Sequence, residues 1–231
     1  MSDASYLYGR NPVREALKAG RRRVHRIWAT EATTQEQWLR DSGVPLTVVG
    51  GDELERRAAS SAHQGVYAEL DPYPYSGASE LLAAEQPLIV VLDQVQDPQN
   101  LGAIARSAEC AGATGLVIGR HRSAEVTAAA AKASAGAVEH LRIARVRNVA
   151  DFLIEARDAG CWSYGAAADG RPYTEVDFSG GVVLVMGAEG EGLRQRVRES
   201  CDEIVAIPNR GRIDSLNVSA AAAVLLYAIP R

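Results

Sequence analysis

Residues 87–106 read PLIVVLDQVQDPQNLGAIAR, and the fold turns on this stretch. Pro87 to Asp93 is a continuous apolar run closed by one acid. A strand with one wet face would alternate; an unbroken run marks a strand covered on both faces, as in a parallel sheet. A short loop follows, and then Leu101, Ile104, Ala105, Ala108 and Gly112 recur on one stripe of a helix. Arg106 lies about 140° from the centre of that stripe, so it faces either solvent or a cleft. Asn100, at the entrance of the helix, is either its cap or a functional group.

The same alternation continues outward. Downstream, the pattern predicts strands at Gly115–Ile118, Cys161–Tyr164, Val182–Met186 and Glu203–Ile207, with helices at 148–159, 191–199 and 215–229. Ala128–Ala137 reads only as a small-residue segment. Upstream, residues 11–19 read as a helix with Asn11 as cap, Pro12 at its first position and Gly20 closing it. A strand at Val24–Trp28, a helix at 33–42, a strand at Pro45–Val49, a helix at 52–60 and a strand at Gly65–Leu70 follow. Asp71–Gly77 carries two prolines and a glycine and reads as a hinge. The expected organisation is therefore a small α/β domain at 1–72, a linker at 73–77 and a parallel-sheet α/β domain at 78–231.

Composition excludes several classes. Of 231 residues, 47% are hydrophobic and 23% charged, which is ordinary for a globular chain. The opening MSDASYLYGR has no basic region leading into an apolar core, and Leu216–Ile229 is too short to span a bilayer, so a cytoplasmic protein without membrane contact is expected. The three cysteines, Cys110, Cys161 and Cys201, form no C-x-x-C pair and share no ligand spacing with histidine, so neither a disulfide framework nor a metal site is expected. The net charge of −4 does not advertise nucleic acid, but charge is locally uneven. Arg10, Arg14, Lys18, Arg21, Arg22, Arg23 and Arg26 stand against the single acid Glu15, as either a solvated face or a surface for an RNA backbone.

Ligands of parallel sheets bind at the carboxyl ends of strands. Beyond the loop at 93–106, two more strand ends carry unusual residues. Val182–Leu193 runs from a strand into Gly187, Gly190 and Gly192, a G-x-x-G-x-G spacing that departs from the dinucleotide fingerprint G-x-G-x-x-G. A nicotinamide enzyme is accordingly disfavoured. Ala206–Ala220 places Asp214 and Ser215 where they could cap the last helix, with Asn217 ahead of an otherwise apolar segment.

Together the three segments resemble the SpoU family of RNA ribose 2′-O-methyltransferases, within the SPOUT superfamily. D-x-V-x-D-P-x-N-L-G-A-I-x-R at 93–106, V-M-G-x-E-G-x-G at 185–192 and I-P-x(6)-S-L-N-V-S at 207–219 occur in order and complete. Tyr8–Val13 and His63–Val66 are similar to the substrate-binding domain of the bacterial 23S rRNA guanosine 2′-O-methyltransferase branch. The resemblance implies a deep trefoil knot, S-adenosyl-L-methionine held largely by backbone groups at Gly187, Ile207 and Leu216, and a homodimer. It also implies a catalytic neighbourhood of Arg106 with Asn100, Glu189, Ser215 and Asn217. Arg10, Arg14, Arg21, Arg22, Arg23 and Arg26 would then contact RNA. Alternatives with the same motifs are a tRNA ribose methyltransferase and a non-catalytic RNA-binding relative.

Overall fold

The computed structural model describes residues 5–213 and 215–230; Asp214, one of the expected caps, lies outside them. Its framework is two sheets. The first contains β1 (Ser5–Tyr8), β2 (Val24–Ala29), β3 (Leu46–Val48) and β4 (Val66–Leu70) in the order β1-β4-β2-β3. On one face Leu7, Ile27 and Ala68 meet across the ladder and pack with Val13 and Ala16 of the helix Arg10–Ala19. On the other, Trp28 and Tyr67 are covered by Leu54 of the helix Gly51–Ala58.

Two expectations shift here for local reasons. The first helix begins at Arg10, not after Asn11, because Gly9 at φ +96° lets the chain turn straight from β1 into the helix without a side-chain cap. Gly20 closes it as expected, left-handed at φ +60°, its N–H donating to Ala16 O at 3.1 Å. The helix expected at 33–42 is two single turns, Glu31–Thr34 and Gln37–Arg40. Hydroxyls compete for the backbone there: Thr34 Oγ1 donates to Glu31 O at 2.7 Å, and Thr30 and Thr33 bond each other.

The second sheet contains β5 (Leu88–Asp93), β6 (Gly115–Gly119), β7 (Ile143–Val146), β8 (Cys161–Pro172), β9 (Gly181–Gly187) and β10 (Glu203–Ala206), all parallel, in the order β10-β8-β9-β5-β6-β7. Every residue of β5 is buried, as its unbroken apolar run requires. The chain winds outward from β5 through β6 to β7, then crosses to build β8, β9 and β10 on the opposite side. The direction of winding therefore reverses between β5 and β9, whose ends are level at Asp93 and Gly187. Such a switch point opens a crevice at the strand ends. β7 and the helix Ala128–Ala133 were not anticipated.

Asp71–Gly77, expected as a hinge, is docked. The Tyr73 hydroxyl lies 2.8 Å from the carbonyls of both Val138 and Leu141, Tyr75 Oη accepts the Val126 N–H at 3.0 Å, and the Ser76 N–H donates to Ile143 O at 2.9 Å. Among the described residues no helix is long and apolar enough to cross a membrane.

Candidate active site

The site is assembled from three chain turns at the ends of β5, β9 and β10. Asp93, fully buried at the end of β5, receives the Arg194 backbone N–H at 2.9 Å on one oxygen and Arg194 Nε at 2.7 Å on the other. This clamp fixes the exit of the turn after β9. Within that turn Ala188 and Gly192 exchange backbone hydrogen bonds at 3.0 and 2.9 Å. A Cβ on Gly187 would stand 2.2 Å from the Gly192 carbonyl carbon, so only glycine lets the turn fold back on itself.

Helix Pro98–Cys110 is capped by Asp97, whose carboxylate accepts the Gln99 N–H at 2.8 Å, with Pro98 in first place. That frees Asn100 from capping, and it lies inside, 8% exposed. Its Nδ2 donates to Glu189 Oε1 at 3.1 Å, and its Oδ1 accepts from Asn217 Nδ2 at 3.1 Å. Asn217 Nδ2 also donates to Glu189 Oε1 at 2.5 Å. One polar residue from each of the three motifs thus joins a closed triangle. The cap of the last helix is Asn217, not Ser215: its Oδ1 accepts from Ser219 N at 2.8 Å, and the helix runs Val218–Ala228. Arg106 is exposed and makes no hydrogen bond or ion pair among the described residues.

Against the triangle lies a cavity of about 450 Å³. Gly187, Ile207 and Leu216 line it, together with Glu189, Ser215 and Asn217. Its apolar wall is Met186, Val218 and Leu225, and Ala166–Ala168 of β8 leave it open on that side. Sequence reasoning missed those residues and Arg194. The three consecutive alanines just past the expected end of a strand were the available signal for the open wall.

Residues 87–227 match the model of the SpoU rRNA Methylase family, and residues 6–76 match that of an RNA 2′-O ribose methyltransferase substrate-binding domain. The chain belongs to the SpoU rRNA methylase family. It is 36% identical to the Bacillus subtilis protein YacO, named for the TrmH family of tRNA/rRNA methyltransferases, over 98% of this chain and 95% of that one. The AdoMet-bound rRNA methyltransferase from Sinorhizobium meliloti superposes with a TM-score of 0.82 at 27% identity, over 98% of this chain and 86% of that one. The TrmH/SpoU tRNA modifying enzyme of A. aeolicus aligns with a TM-score of 0.56 at 28% identity, over only 66% of this chain and 78% of that one.

In this SpoU chain the basic cluster divides. Arg22 is buried in a two-point ion pair with Glu139, Nε to Oε2 at 3.0 Å and Nη2 to Oε1 at 2.5 Å, which takes it out of reach of any phosphate. Arg21 is half-buried and donates to Leu141 O at 2.7 Å and Pro74 O at 3.3 Å. Both join the first sheet to the second, so their expected place on an RNA surface is corrected. Arg10 and Arg14 are partly committed, to Glu36 and Gln64 and to Glu15 and Asn11. Arg23 and Arg26 are exposed, the latter 5.7 Å from the Trp28 ring centroid. Among the described residues no group of side chains could hold a metal ion.

Proposed function

We propose that this chain transfers a methyl group from S-adenosylmethionine to a ribose 2′-hydroxyl of structured RNA, with a guanosine of 23S rRNA as target. The observation that carries this reading is the triangle Asn100–Glu189–Asn217 beside the cavity, with Arg106 free on the helix that supplies Asn100. A volume of about 450 Å³ suits a nucleoside-sized cofactor. Its apolar wall suits a purine, and its glycine turn brings backbone groups within reach. Gly187, Ile207 and Leu216 are the residues that would hold the cofactor there. When bound, the cofactor supplies a methyl carbon made electrophilic by its sulfonium.

The protein's own task is alignment. Holding an attacking oxygen in line with its target at near-contact distance can supply about 7–11 kcal/mol of a barrier in the best cases. Arg106 carries a permanently protonated guanidinium and is unsuited to act as a base. It clamps a substrate phosphate and stabilises the charge that develops on the 2′-oxygen as the hydroxyl proton leaves. Glu189 accepts from both asparagines, so its role is to fix the glycine turn against the first and last helices. Ser215 lines the same cavity.

The rRNA reading draws on coverage: the S. meliloti rRNA enzyme matches almost the whole chain, whereas the A. aeolicus tRNA enzyme matches about two thirds of it. Residues 1–72 serve as the RNA-binding domain, joined through 73–77 to the methyltransferase domain 78–231, and the enzyme acts on ribosomal RNA in the cytoplasm. The trefoil knot belongs to the same reading: after β10 at the sheet edge the chain returns to pack its last helix on Pro98–Cys110 and β9. So does the homodimer, for which Val224 and Tyr227, 38% and 68% exposed on that helix, offer an apolar face.

The test is Arg106→Ala, assayed for methyl transfer to ribosomal RNA and for cofactor affinity by calorimetry. Turnover should fall by about 10²–10³ with affinity changed only a few-fold. Retention of most turnover, or a methyl group mapped to a base instead of a ribose, refutes the reading.

A further inference from the structure

The chain contains two lysines, Lys18 and Lys132, and its other basic side chains, histidines aside, are arginines. Lys18 is spent on Glu15 at 2.9 Å. The side chain of Lys132, on the helix Ala128–Ala133 of the methyltransferase domain, makes no hydrogen bond or ion pair among the described residues. It is half-buried, and burial pushes its ammonium below the ordinary lysine range, as expected of a cation with no anion beside it.

What surrounds it comes from the other domain. A Cβ on Gly9 would stand 2.5 Å from Lys132 Nζ and 3.2 Å from Gln64 Oε1. Gly9 has φ +96° and Gln64 φ +53°. Arg10 ties the two segments together, its N–H donating to Gln64 Oε1 and its Nε to Gln64 O, both at 3.2 Å. The two short N-terminal motifs, Tyr8–Val13 and His63–Val66, therefore meet around the tip of one lysine from the catalytic domain. Arg10 pairs with Glu36, so that acid neutralises Arg10 rather than Lys132.

We propose that Lys132, framed by Gly9 and Gln64, seats one backbone phosphate of the substrate RNA at the junction of the two domains. This rests on the RNA methyltransferase reading above. The position suits it. The Lys132 helix packs directly on the helix that carries Arg106: a Cβ on Gly102, one turn before Arg106, would lie 2.5 Å from Ala130 O and 2.6 Å from the Ala133 Cβ. Arg106 and Lys132 therefore stand on two helices in direct contact. The seat exists only when the domains are docked, so it couples RNA binding to the junction.

The experiment measures affinity for a ribosomal RNA fragment against salt concentration for wild type, Lys132→Met and Lys132→Arg, with melting temperatures on the same samples. Lys132→Met should bind about fivefold more weakly and flatten the log–log salt slope by roughly 0.7, one single-strand phosphate contact. Its melting temperature and cofactor affinity should be unchanged. Lys132→Arg should keep the slope. A Lys132→Met line parallel to wild type, or an equal loss of slope in Lys132→Arg, assigns the lysine to packing and overturns the proposal while leaving the RNA reading intact. Wild-type binding with no salt dependence overturns the RNA reading as well.

Discussion

Glu189 Oε1 accepts two amide donors, from Asn100 at 3.1 Å and from Asn217 at 2.5 Å, and this sharing makes Asn217 the most informative single position in the site. Asn217 has two separable jobs: Oδ1 caps the last helix and Nδ2 reaches Glu189. Asn217→Asp keeps the cap, since aspartate is as good an N-cap as asparagine, but sets a carboxylate against Glu189. Asn217→Ala loses both, at about 1 kcal/mol for the cap alone. Thermal unfolding should therefore show the alanine variant less stable than the aspartate variant, while calorimetry should show cofactor binding weakened in both. If the aspartate variant binds the cofactor like wild type, the link to Glu189 has no part in shaping the pocket.

Elements whose burial is written in their residues were legible; those made by packing alone were not. β5 is apolar at every position before Asp93 and was read correctly, as were the glycine turn and the helix bearing Arg106. The helix Ala128–Ala133 gave no signal because alanine carries no periodicity; it exists because Gly102 opens a place for it. β8 was cut short at Tyr164 because Ala166–Pro172 lacks β-branched residues, yet it pairs with β10 through a register shift, and Gly170 admits the Ile204 carbonyl. The motifs revealed which residues belong to the site. The pairing of Asp93 with Arg194, 101 positions apart, has no local signature. Gly102→Ala tests the helix contact: the new methyl meets backbone at 2.5 Å, which should cost about 1–3 kcal/mol. It should also lower turnover by shifting the helix that carries Arg106. A melting temperature equal to wild type would mean that the two helices separate without penalty.

At the scale of the whole molecule the junction is what the sequence hid. A run of arginines reads as one surface, but Arg21 and Arg22 face inward to carbonyls and to Glu139, and the two prolines suggested a freedom that Tyr73 and Tyr75 remove. Arg22→Ala would leave Glu139 at the junction without its partner, and a buried carboxylate so stripped costs about 3–5 kcal/mol. The Arg22→Ala variant should melt well below wild type and recover part of the loss when Glu139→Leu is added; equal melting temperatures with and without that second change would show that the buried pair is dispensable to the junction.

The junction should also be acid-sensitive through Glu15, which reaches across to His140 at 3.0 Å. Burial pushes the Glu15 carboxyl up, but hydrogen bonds from Lys18, His140 and Arg14 outweigh it and hold the group below the ordinary carboxylate range. A carboxylate whose pKa is lower folded than unfolded contributes its full stabilisation above the unfolded value, about 4.3 for glutamate. That contribution is lost as pH falls through the folded value. Asp202, held low by Ser163 and Arg157 against its own burial, titrates in the same direction, so the wild-type curve alone cannot isolate Glu15. The difference between wild type and Glu15→Gln can. Their melting temperatures should be separated by a constant gap from pH 7 down to about 5, wild type being higher, and should converge as the medium is taken towards pH 3. A gap that persists undiminished at pH 3 would place its origin in shape rather than charge, and no gap at pH 7 would leave Glu15 without a role in holding the two domains together.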